Sequence, residues 1–122
     1  MAQLALHIDL ASEARIGPGK IRLLELVDQT GSISAAGRAY RMTYRQAWTT
    51  LDELNRAFRS PVITAAPGGR HGGGARLTDL GREVIRRFRE LELEATTLAQ
   101  RHLEALEAAA NPDARQDVAP EP

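Results

Sequence analysis

The sequence has no cysteine, only one lysine among its 16 basic residues, and 4% aromatic residues. The lack of cysteine excludes a disulfide framework and a cysteine-based zinc site. No apolar run approaches the roughly 18 residues that a membrane-spanning helix needs. The N-terminus also lacks a basic segment followed by a long apolar one, which would mark a secretory signal. These absences favour a soluble, cytoplasmic protein without a membrane partner.

The charges are sorted along the 122 residues, although the formal net charge is zero. Residues 1–90 contain 14 Arg and Lys against 9 Asp and Glu, whereas residues 91–122 contain 2 Arg against 7 Asp and Glu. Arginine suits forked contacts with phosphate and guanine better than lysine does. A basic body with an acidic end favours a nucleic-acid-binding protein whose C-terminal part points away from its ligand. Chance sorting over a mixed surface is the alternative.

The stretch from Gly31 to Phe58 predicts a short helix, a tight turn and a longer second helix. We expect three small residues of the first helix to allow a close approach to its neighbour: Ala35, Ala36 and Ala39. Thr43 stands where the N-cap of the second helix is expected. The predicted apolar stripe of that helix is Ala47, Trp48, Leu51, Leu54 and Phe58. Its other side carries Tyr44, Arg45, Gln46, Thr49 and Thr50. This pattern is typical of a helix that reads the major groove, or of a surface hairpin with a solvated face.

The flanking segments predict strands and one further helix. Gln3 to Ala11 alternates between apolar and polar residues like a half-buried strand, and a helix is expected from Pro18 to Gln29. Two short strands, 62–64 and 75–77, surround a glycine-rich loop tipped with Arg70 and His71, as in the wing of a winged helix. We expect the strand near Leu6 to be the third strand of that sheet. The loop lacks the Lys and Ser/Thr of a nucleotide-binding loop, and a flexible loop without function is the alternative.

Thr78 or Asp79 is expected to cap the last long helix, which runs to about Ala110. Its apolar residues recur at alternating spacings of four and three, as in a heptad seam: Val84, Phe88, Leu91, Ala95, Leu98 and His102. We expect residues 80–88 to pack on the domain and the rest to form a dimerisation helix. A helix that packs back on its own chain is the alternative. The predicted organisation is a DNA-binding domain (1–78), this helix (79–110) and a disordered tail (111–122).

Catalysis and metal binding find little support. The three histidines, His7, His71 and His102, fall on a strand, a loop tip and a helix seam, and none has a second ligand at metal-site spacing. Ser32 and Ser34 precede a helix and are better explained as caps than as nucleophiles. We therefore predict no enzymatic activity and no cofactor.

The chain resembles the N-terminal DNA-binding domain of the ModE family of molybdate-responsive regulators, which is related to the winged helix of LysR-type regulators. The similarity covers about residues 3 to 106. The segments that carry it are Gly31-Ser32-Ile33-Ser34, Thr43-Tyr44-Arg45-Gln46-Ala47-Trp48, Glu53-Leu54-Asn55 and, most specifically, Gly68 to Thr78 followed by Gly81. The resemblance implies a homodimer that reads a palindrome with half-sites ~34 Å apart or a multiple of that distance. It also implies Tyr44, Arg45, Gln46 and Thr49 at the major groove, with Arg70 on the wing.

The chain departs from the family pattern at three places. Arg41 stands in the turn where glycine is frequent, and Thr64-Ala65 replaces a charged pair before the wing. Nothing after Leu106 could build molybdate-binding domains, so we expect a stand-alone domain that does not itself sense molybdate. A separate effector-sensing protein would then supply that function.

We predict a mainly α fold with a small β-sheet, a winged helix-turn-helix with a long C-terminal dimerisation helix. The predicted function is that of a homodimeric transcriptional regulator that reads a palindromic operator in double-stranded DNA, and the family resemblance implies that the regulated genes are molybdenum-related. A protein-interaction module built on the same dimer, and a small oxyanion-binding protein that uses the glycine loop, are the alternatives. The predicted DNA-binding residues are Ser34, Arg38, Arg41, Thr43, Tyr44, Arg45, Gln46, Thr49, Thr50, Arg70, His71 and Arg76.

Overall fold

The computed structural model describes residues 1–66 and 74–113. This part of the chain is mainly helical and contains two separate two-stranded antiparallel sheets. The glycine-rich loop with Arg70 and His71, and the tail from residue 114 onward, lie outside the described residues. In chain order the elements are β1 (Ile8–Asp9), β2 (Arg15–Ile16), α1 (Pro18–Thr30), α2 (Ile33–Ala39), α3 (Tyr44–Ala57), β3 (Ile63–Ala66), β4 (Gly74–Leu77) and α4 (Asp79–Ala109).

The hydrophobic core forms around α1, whose apolar residues are buried against α3, the β3–β4 hairpin and the start of α4. The predicted helix from Pro18 is confirmed, and it ends at Thr30 because Gly31 adopts a left-handed conformation with φ of 72°. Glycine adopts this conformation without steric cost. The fully buried large side chains are Ile21, Leu23, Leu24, Val27, Leu51, Leu54 and Val62.

Two details of the helix pair differ from the prediction. Trp48 is 49% exposed and does not belong to the buried stripe of α3, which consists of Ala47, Leu51 and Leu54 with Phe58 partly buried. Adjacent helical residues point about 100° apart, and α3 turns the side of Ala47 to the core and the side of Trp48 outward. Ala36 and Gly37, and not Ala39, are the buried small residues of α2. A Cβ atom on Gly37 would lie 3.1 Å from that of Ala47.

The N-terminal strand does not join the later hairpin, so that prediction was wrong. Instead, β1 pairs with β2, with Ile8 opposite Ile16, because a turn between Leu10 and Ala14 brings the chain back. The preceding residues keep the predicted alternation of exposure without being a strand. They run beside α4, where Leu4 and Thr96 line one shared groove.

The long helix α4 begins after its N-cap Thr78, whose hydroxyl accepts a hydrogen bond from Gly81 N–H at 3.0 Å. Phe88 is 2% exposed and Val84 packs against the core. Phe88 is therefore covered by its own chain, as expected for residues 80–88, and its place in a dimer seam is corrected. Val84 is only half-buried, so the seam stays a prediction for Val84 and from Leu91 onward. No helix of the described ranges is both long enough and apolar enough to cross a membrane.

Candidate nucleic-acid interface

The turn between α2 and α3 is fixed by backbone hydrogen bonds. At the end of α2, Met42 N–H donates to Gly37 O at 2.8 Å and Arg41 N–H donates to Arg38 O at 3.1 Å. This pair of bonds is a Schellman motif, which usually has glycine in the left-handed position. Here Arg41 occupies that position with φ of 59°. The turn therefore forms without glycine and carries a cation at its tip.

The start of α3 is closed by a capping box. The Thr43 hydroxyl accepts from Gln46 N–H at 3.1 Å, and Gln46 Oε1 accepts from Thr43 N–H at 2.9 Å. The two side chains thereby satisfy amides that the first helical turn leaves without partners. Thr43 is thus confirmed as the N-cap. Gln46, predicted to contact a base, already uses its carbonyl oxygen within the chain, and its amide nitrogen is the atom left to donate to a ligand.

The exposed side of α3 carries most of the other predicted contact residues. Tyr44, Arg45 and Thr49 are exposed there, whereas Thr50 is half-buried at the edge of the helix. On α2, Arg38 donates to the Ser34 hydroxyl at 2.9 Å, and both residues are exposed. The α2–α3 pair therefore presents these side chains on its outer surface, and their contacts with DNA stay a prediction.

Asn55 holds the β3–β4 hairpin against α3. Its Oδ1 accepts from Val62 N–H at 2.8 Å and from Ile63 N–H at 3.1 Å. On the other side, Ala75 N–H of β4 donates to Gly31 O at 2.9 Å. The hairpin is thus fixed to both α3 and the start of α2. No role was predicted for Asn55, although a short polar side chain next to buried leucines often forms hydrogen bonds with the backbone.

The hairpin brings one of the predicted residues to the surface. Arg76 of β4 is exposed and pairs in register with Thr64 of β3. Arg70 and His71 lie outside the described residues. The predicted wing tip is therefore untested, whereas its two strands are confirmed.

The surface from α2 to β4 has an uneven charge distribution. No Asp or Glu occurs between Gln29 and Leu51 or between Leu54 and Thr78. Within residues 1–66 and 74–113, no acidic side chain forms a salt bridge with the arginines of this surface. These arginines are Arg38, Arg41, Arg45, Arg59 and Arg76. Arg59 was not among the predicted DNA-binding residues, although the long stretch of sequence without Asp or Glu around it would have indicated it.

Metal ligands are not brought together in the part of the chain that the structure describes. No group of three His, Asp or Glu side chains in these residues could hold a metal ion. His7 lies just before β1 and His102 lies on α4.

No protein-family model matches the chain. The molybdenum-pterin-binding protein MopA of Rhodobacter capsulatus is 42% identical over 88 residues, which are 72% of this chain and 33% of MopA. The molybdenum transport protein ModE of Azotobacter vinelandii is 34% identical over 106 residues, 87% of this chain and 38% of that protein. The DNA-binding transcriptional dual regulator ModE of Escherichia coli (strain K12) is 31% identical over 87 residues, 71% of this chain and 33% of that protein.

The matched region contains the surface described above. Only 16 of the 122 residues lie outside the match with the Azotobacter protein, so that match includes residues 17–106 and with them α2, α3 and the hairpin. The chain spans about a third of the length of these curated relatives. The three relatives are named for molybdenum binding, molybdenum transport and transcriptional regulation, and none is named as an enzyme. The chain is therefore homologous to ModE and to the molybdenum-pterin-binding proteins MopA and MopB.

Proposed function

We propose that this chain is a winged helix-turn-helix domain that binds double-stranded DNA and regulates transcription. In this proposal α3 is the reading helix, α2 supports it, and the β3–β4 hairpin is the wing. The observation that carries the proposal is the set of exposed arginines from α2 to β4 that have no carboxylate partner in the described chain. An arginine without such a partner offers its full charge and both edges of its guanidinium to phosphate or guanine.

The predicted residues take distinct roles in this proposal. Arg45 and Thr49 contact base edges from the outer side of α3, and Tyr44 lies beside them. Arg38, Arg41 and Arg76 contact phosphates on either side, which fixes the register of the domain on the duplex. Ser34 orients Arg38 through its hydrogen bond. Thr43 and Gln46 act first as the cap of α3.

We also propose that the domain binds DNA as a homodimer through the outer part of α4. Leu91, Leu98 and Leu106 are exposed and lie seven and eight residues apart, so they share one broad side of the helix. Beside Leu91, an apolar groove of about 430 Å³ is lined by Ile8, Phe58 and Val84 among other residues. Covering both surfaces with a second copy would remove them from water.

A matched pair of variants tests the dimer. Leu98→Glu should shift sedimentation equilibrium to the monomer, because it places a charge in the proposed seam. Leu93→Glu makes the same change at another exposed leucine of α4, which points about 140° away from Leu98, and should leave the dimer intact. A Leu98→Glu protein that sediments like the wild type would contradict the proposed interface.

The regulated genes are proposed to concern molybdenum. The supporting observation is that the homologous proteins include a molybdenum transport protein and transcriptional regulators of the same name, ModE. Molybdate sensing is left out of the proposal, because the chain matches only about a third of those proteins.

The experiment that tests DNA recognition is selection of genomic DNA. The purified chain is incubated at moderate salt with sheared DNA from its own organism, and the retained fragments are sequenced. A palindrome upstream of a few operons is the expected result, with molybdenum transport or molybdenum-enzyme genes among them. Retention of all sequences alike would leave a non-specific binder. No retention would favour the protein-interaction module and contradict the proposal.

A further inference from the structure

The exposed aromatic side chains of this protein are confined to one short segment. Of the five aromatic residues, Phe88 is buried in the core and Phe58 packs against it. The other three, Tyr40, Tyr44 and Trp48, are 39%, 57% and 49% exposed. They alternate with Arg41 and Arg45, and no acidic residue lies among them. Large aromatic side chains beside arginine, half-exposed in the free protein, are characteristic of binding surfaces.

Tyr44 and Trp48 lie along a single edge of α3. Residues four and seven positions apart share a helix face, so Tyr44, Trp48 and Asn55 follow one another along this edge. Asn55, at its C-terminal end, is bonded to the hairpin through β3. The two aromatic side chains continue the same edge into the N-terminal half of α3, with Arg45 on the outward side. The C-terminal end of this edge is thus bonded to the β3–β4 hairpin, whereas its N-terminal end is an exposed aromatic surface.

The N-terminal half of a reading helix is the part that approaches the base edges. The groups that the base pairs present in the major groove are hydrogen-bond donors and acceptors, except for one apolar group, the C5-methyl of thymine. An indole ring cannot satisfy the polar acceptors with its face, but it can cover a methyl group and exclude water from it. Arg45, beside it, can serve the polar edges.

We propose that Trp48, flanked by Tyr44, packs on a thymine methyl group and makes thymine a required base in each half-site. This inference depends on the proposed DNA-binding function and adds a specificity-determining residue to it. A protein partner is the other surface that an aromatic cluster could cover. The neighbouring arginines without carboxylate partners favour the polyanion, so we take DNA as the ligand and treat the protein partner as an outcome of the test.

The test removes the methyl group alone. A preferred duplex is first selected from a randomised pool with the full-length chain. Each thymine is then replaced by deoxyuridine, which keeps every hydrogen-bonding group. For the wild type, one or two positions in each half-site should lower the affinity about four-fold, the effect of one buried methyl group. The single tryptophan also serves as a probe, and its emission should change when the selected duplex binds.

Two variants connect that effect to Trp48. Trp48→Ala should bind the selected duplex about thirty-fold more weakly and should no longer distinguish thymine from deoxyuridine. Trp48→Phe should recover part of both. Leu93→Ala, which shortens an exposed apolar side chain of α4 outside the proposed dimer seam, should keep the full discrimination. Thermal unfolding would show that the variants are folded, as expected for a half-exposed position.

Three results would overturn the inference. Equal weakening of the thymine and deoxyuridine duplexes by Trp48→Ala would place the ring on the sugar–phosphate backbone. Unchanged affinity of that variant would assign the aromatic edge to a protein partner. In both cases the proposed DNA-binding function would stand. A pool that yields no preferred duplex would overturn the proposed function together with this inference.

Discussion

The arginines of the proposed interface and the arginines at the start of α4 have different surroundings. Arg38, Arg41, Arg45 and Arg76 have no carboxylate partner among the described residues. In the first half of α4, each arginine has one: Arg82 with Asp79 at 2.7 Å, Arg86 with Glu83 at 2.7 Å, Arg87 with Glu83 at 2.9 Å, and Arg89 with Glu25 at 2.9 Å. The number of arginines therefore does not identify a binding surface. The absence of a carboxylate partner distinguishes the arginines of the proposed interface from those of α4.

The difference arises from local sequence spacing. On α4, acidic residues stand three or four positions from the arginines, which places opposite charges on the same face of a helix. On α2 and α3, the residues at those spacings from Arg38 and Arg41 are Ser34 and Arg45. An anion that approaches the first half of α4 must displace a carboxylate, whereas an anion that approaches the start of α3 meets Arg41 and Arg45, which form no salt bridge with the described residues. Arg56, near the end of α3, is paired with Asp52. The basic composition of residues 1–90 therefore suggests a larger binding surface than the unpaired arginines form. It also does not show where along the chain that surface lies.

The largest effect is expected from a variant at the contact between α4 and the proposed interface region. Gly81, in the first turn of α4, lies against β3 so closely that an added Cβ atom would overlap the carbonyl oxygen of Val62. Gly81→Ala should therefore lower the free energy of unfolding by about 3 kcal/mol or more, because backbone must move. Circular dichroism, dominated by the helices, and Trp48 fluorescence from α3 should report one coincident transition.

The control for this variant is Gly31→Ala, where an added Cβ atom would meet no atom within 4 Å. Only the left-handed conformation is then penalised, at a cost of about 1 kcal/mol. If Gly81→Ala were no more destabilising than this control, the close contact between α4 and β3 would not hold the regions together.

The next effect tests the comparison directly with two matched double variants. Arg45→Ala with Arg76→Ala removes one base contact and one phosphate contact in each copy, and should reduce DNA affinity about a hundred-fold. The salt slope should fall by about two, because each copy of the dimer loses one phosphate contact. Arg86→Ala with Arg87→Ala removes two paired cations from α4 and should change affinity less than about two-fold. Anisotropy titrations at several salt concentrations measure both quantities.

A third variant separates pairing from location. Arg101, further along α4, also forms no salt bridge with the described residues, yet it lies outside the proposed interface. Arg101→Ala should leave DNA affinity unchanged if location decides as well as pairing. A loss of affinity in this variant equal to that of Arg45→Ala would show non-specific charge attraction.

Local rules explain why much of the fold could be predicted from the sequence. Thr43 and Thr78 were recognised as caps because a cap bonds to amides two or three residues away, within the same stretch of sequence. The two strands of the hairpin were recognised because β-branched and glycine residues mark them at short range. Exposure of Trp48 was missed because the spacing of the α3 stripe admits either Ala47 or Trp48, and both are apolar.

Pairings between distant or separate elements could not be predicted in the same way. The partner of β1 was wrong because alternation marks a strand but does not identify the edge to which it bonds. Asn55 was left without a role because its partners belong to β3, across a turn. Phe88 and Val84 fit the heptad spacing, yet α4 uses that spacing first to pack on its own domain. A periodic stripe shows that a surface is covered and does not show by what.

A smaller effect concerns the ion pair that joins α1 to α4. Hydrogen bonds from Arg89, and also from Arg22, hold the pKa of the Glu25 carboxyl below its ordinary value of 4.5, although burial acts in the opposite direction. Because the folded-state pKa is lowered, the pair stabilises the protein above pH 4.5 and is lost as the pH falls through the lowered value.

Glu25→Gln should cost about 1 kcal/mol at pH 7, allowing for solvent screening of a partly exposed pair. It should also flatten the loss of stability below pH 4.5, measured by urea unfolding at several pH values. DNA affinity should be unchanged, because Arg89 is one of the α4 arginines that have a carboxylate partner and lie outside the proposed interface. A loss of stability that is the same at pH 7 and pH 3 would show a packing defect and not a lost ion pair.

The smallest effect separates the two roles of Arg41, which is both a turn residue and an unpaired cation. Its φ of 59° is unfavourable for a residue with a side chain, so Arg41→Gly should relieve strain, while the greater freedom of glycine in the unfolded chain offsets part of the gain. We expect a net stabilisation of about 0.5 kcal/mol, together with weaker DNA binding and a salt slope lower by about two, because each copy of the dimer loses a phosphate contact. Arg41→Asn removes the same charge but tolerates the left-handed conformation, and should weaken binding equally. Arg41→Lys keeps the charge and the strain, and should keep most of the affinity.

Stability and affinity would then move in opposite directions at one residue, as expected where a cation of a binding surface occupies a turn position that glycine would occupy with less strain. If Arg41→Gly bound DNA as tightly as the wild type, Arg41 would be a tolerated turn residue and the unpaired arginines would not all belong to the interface.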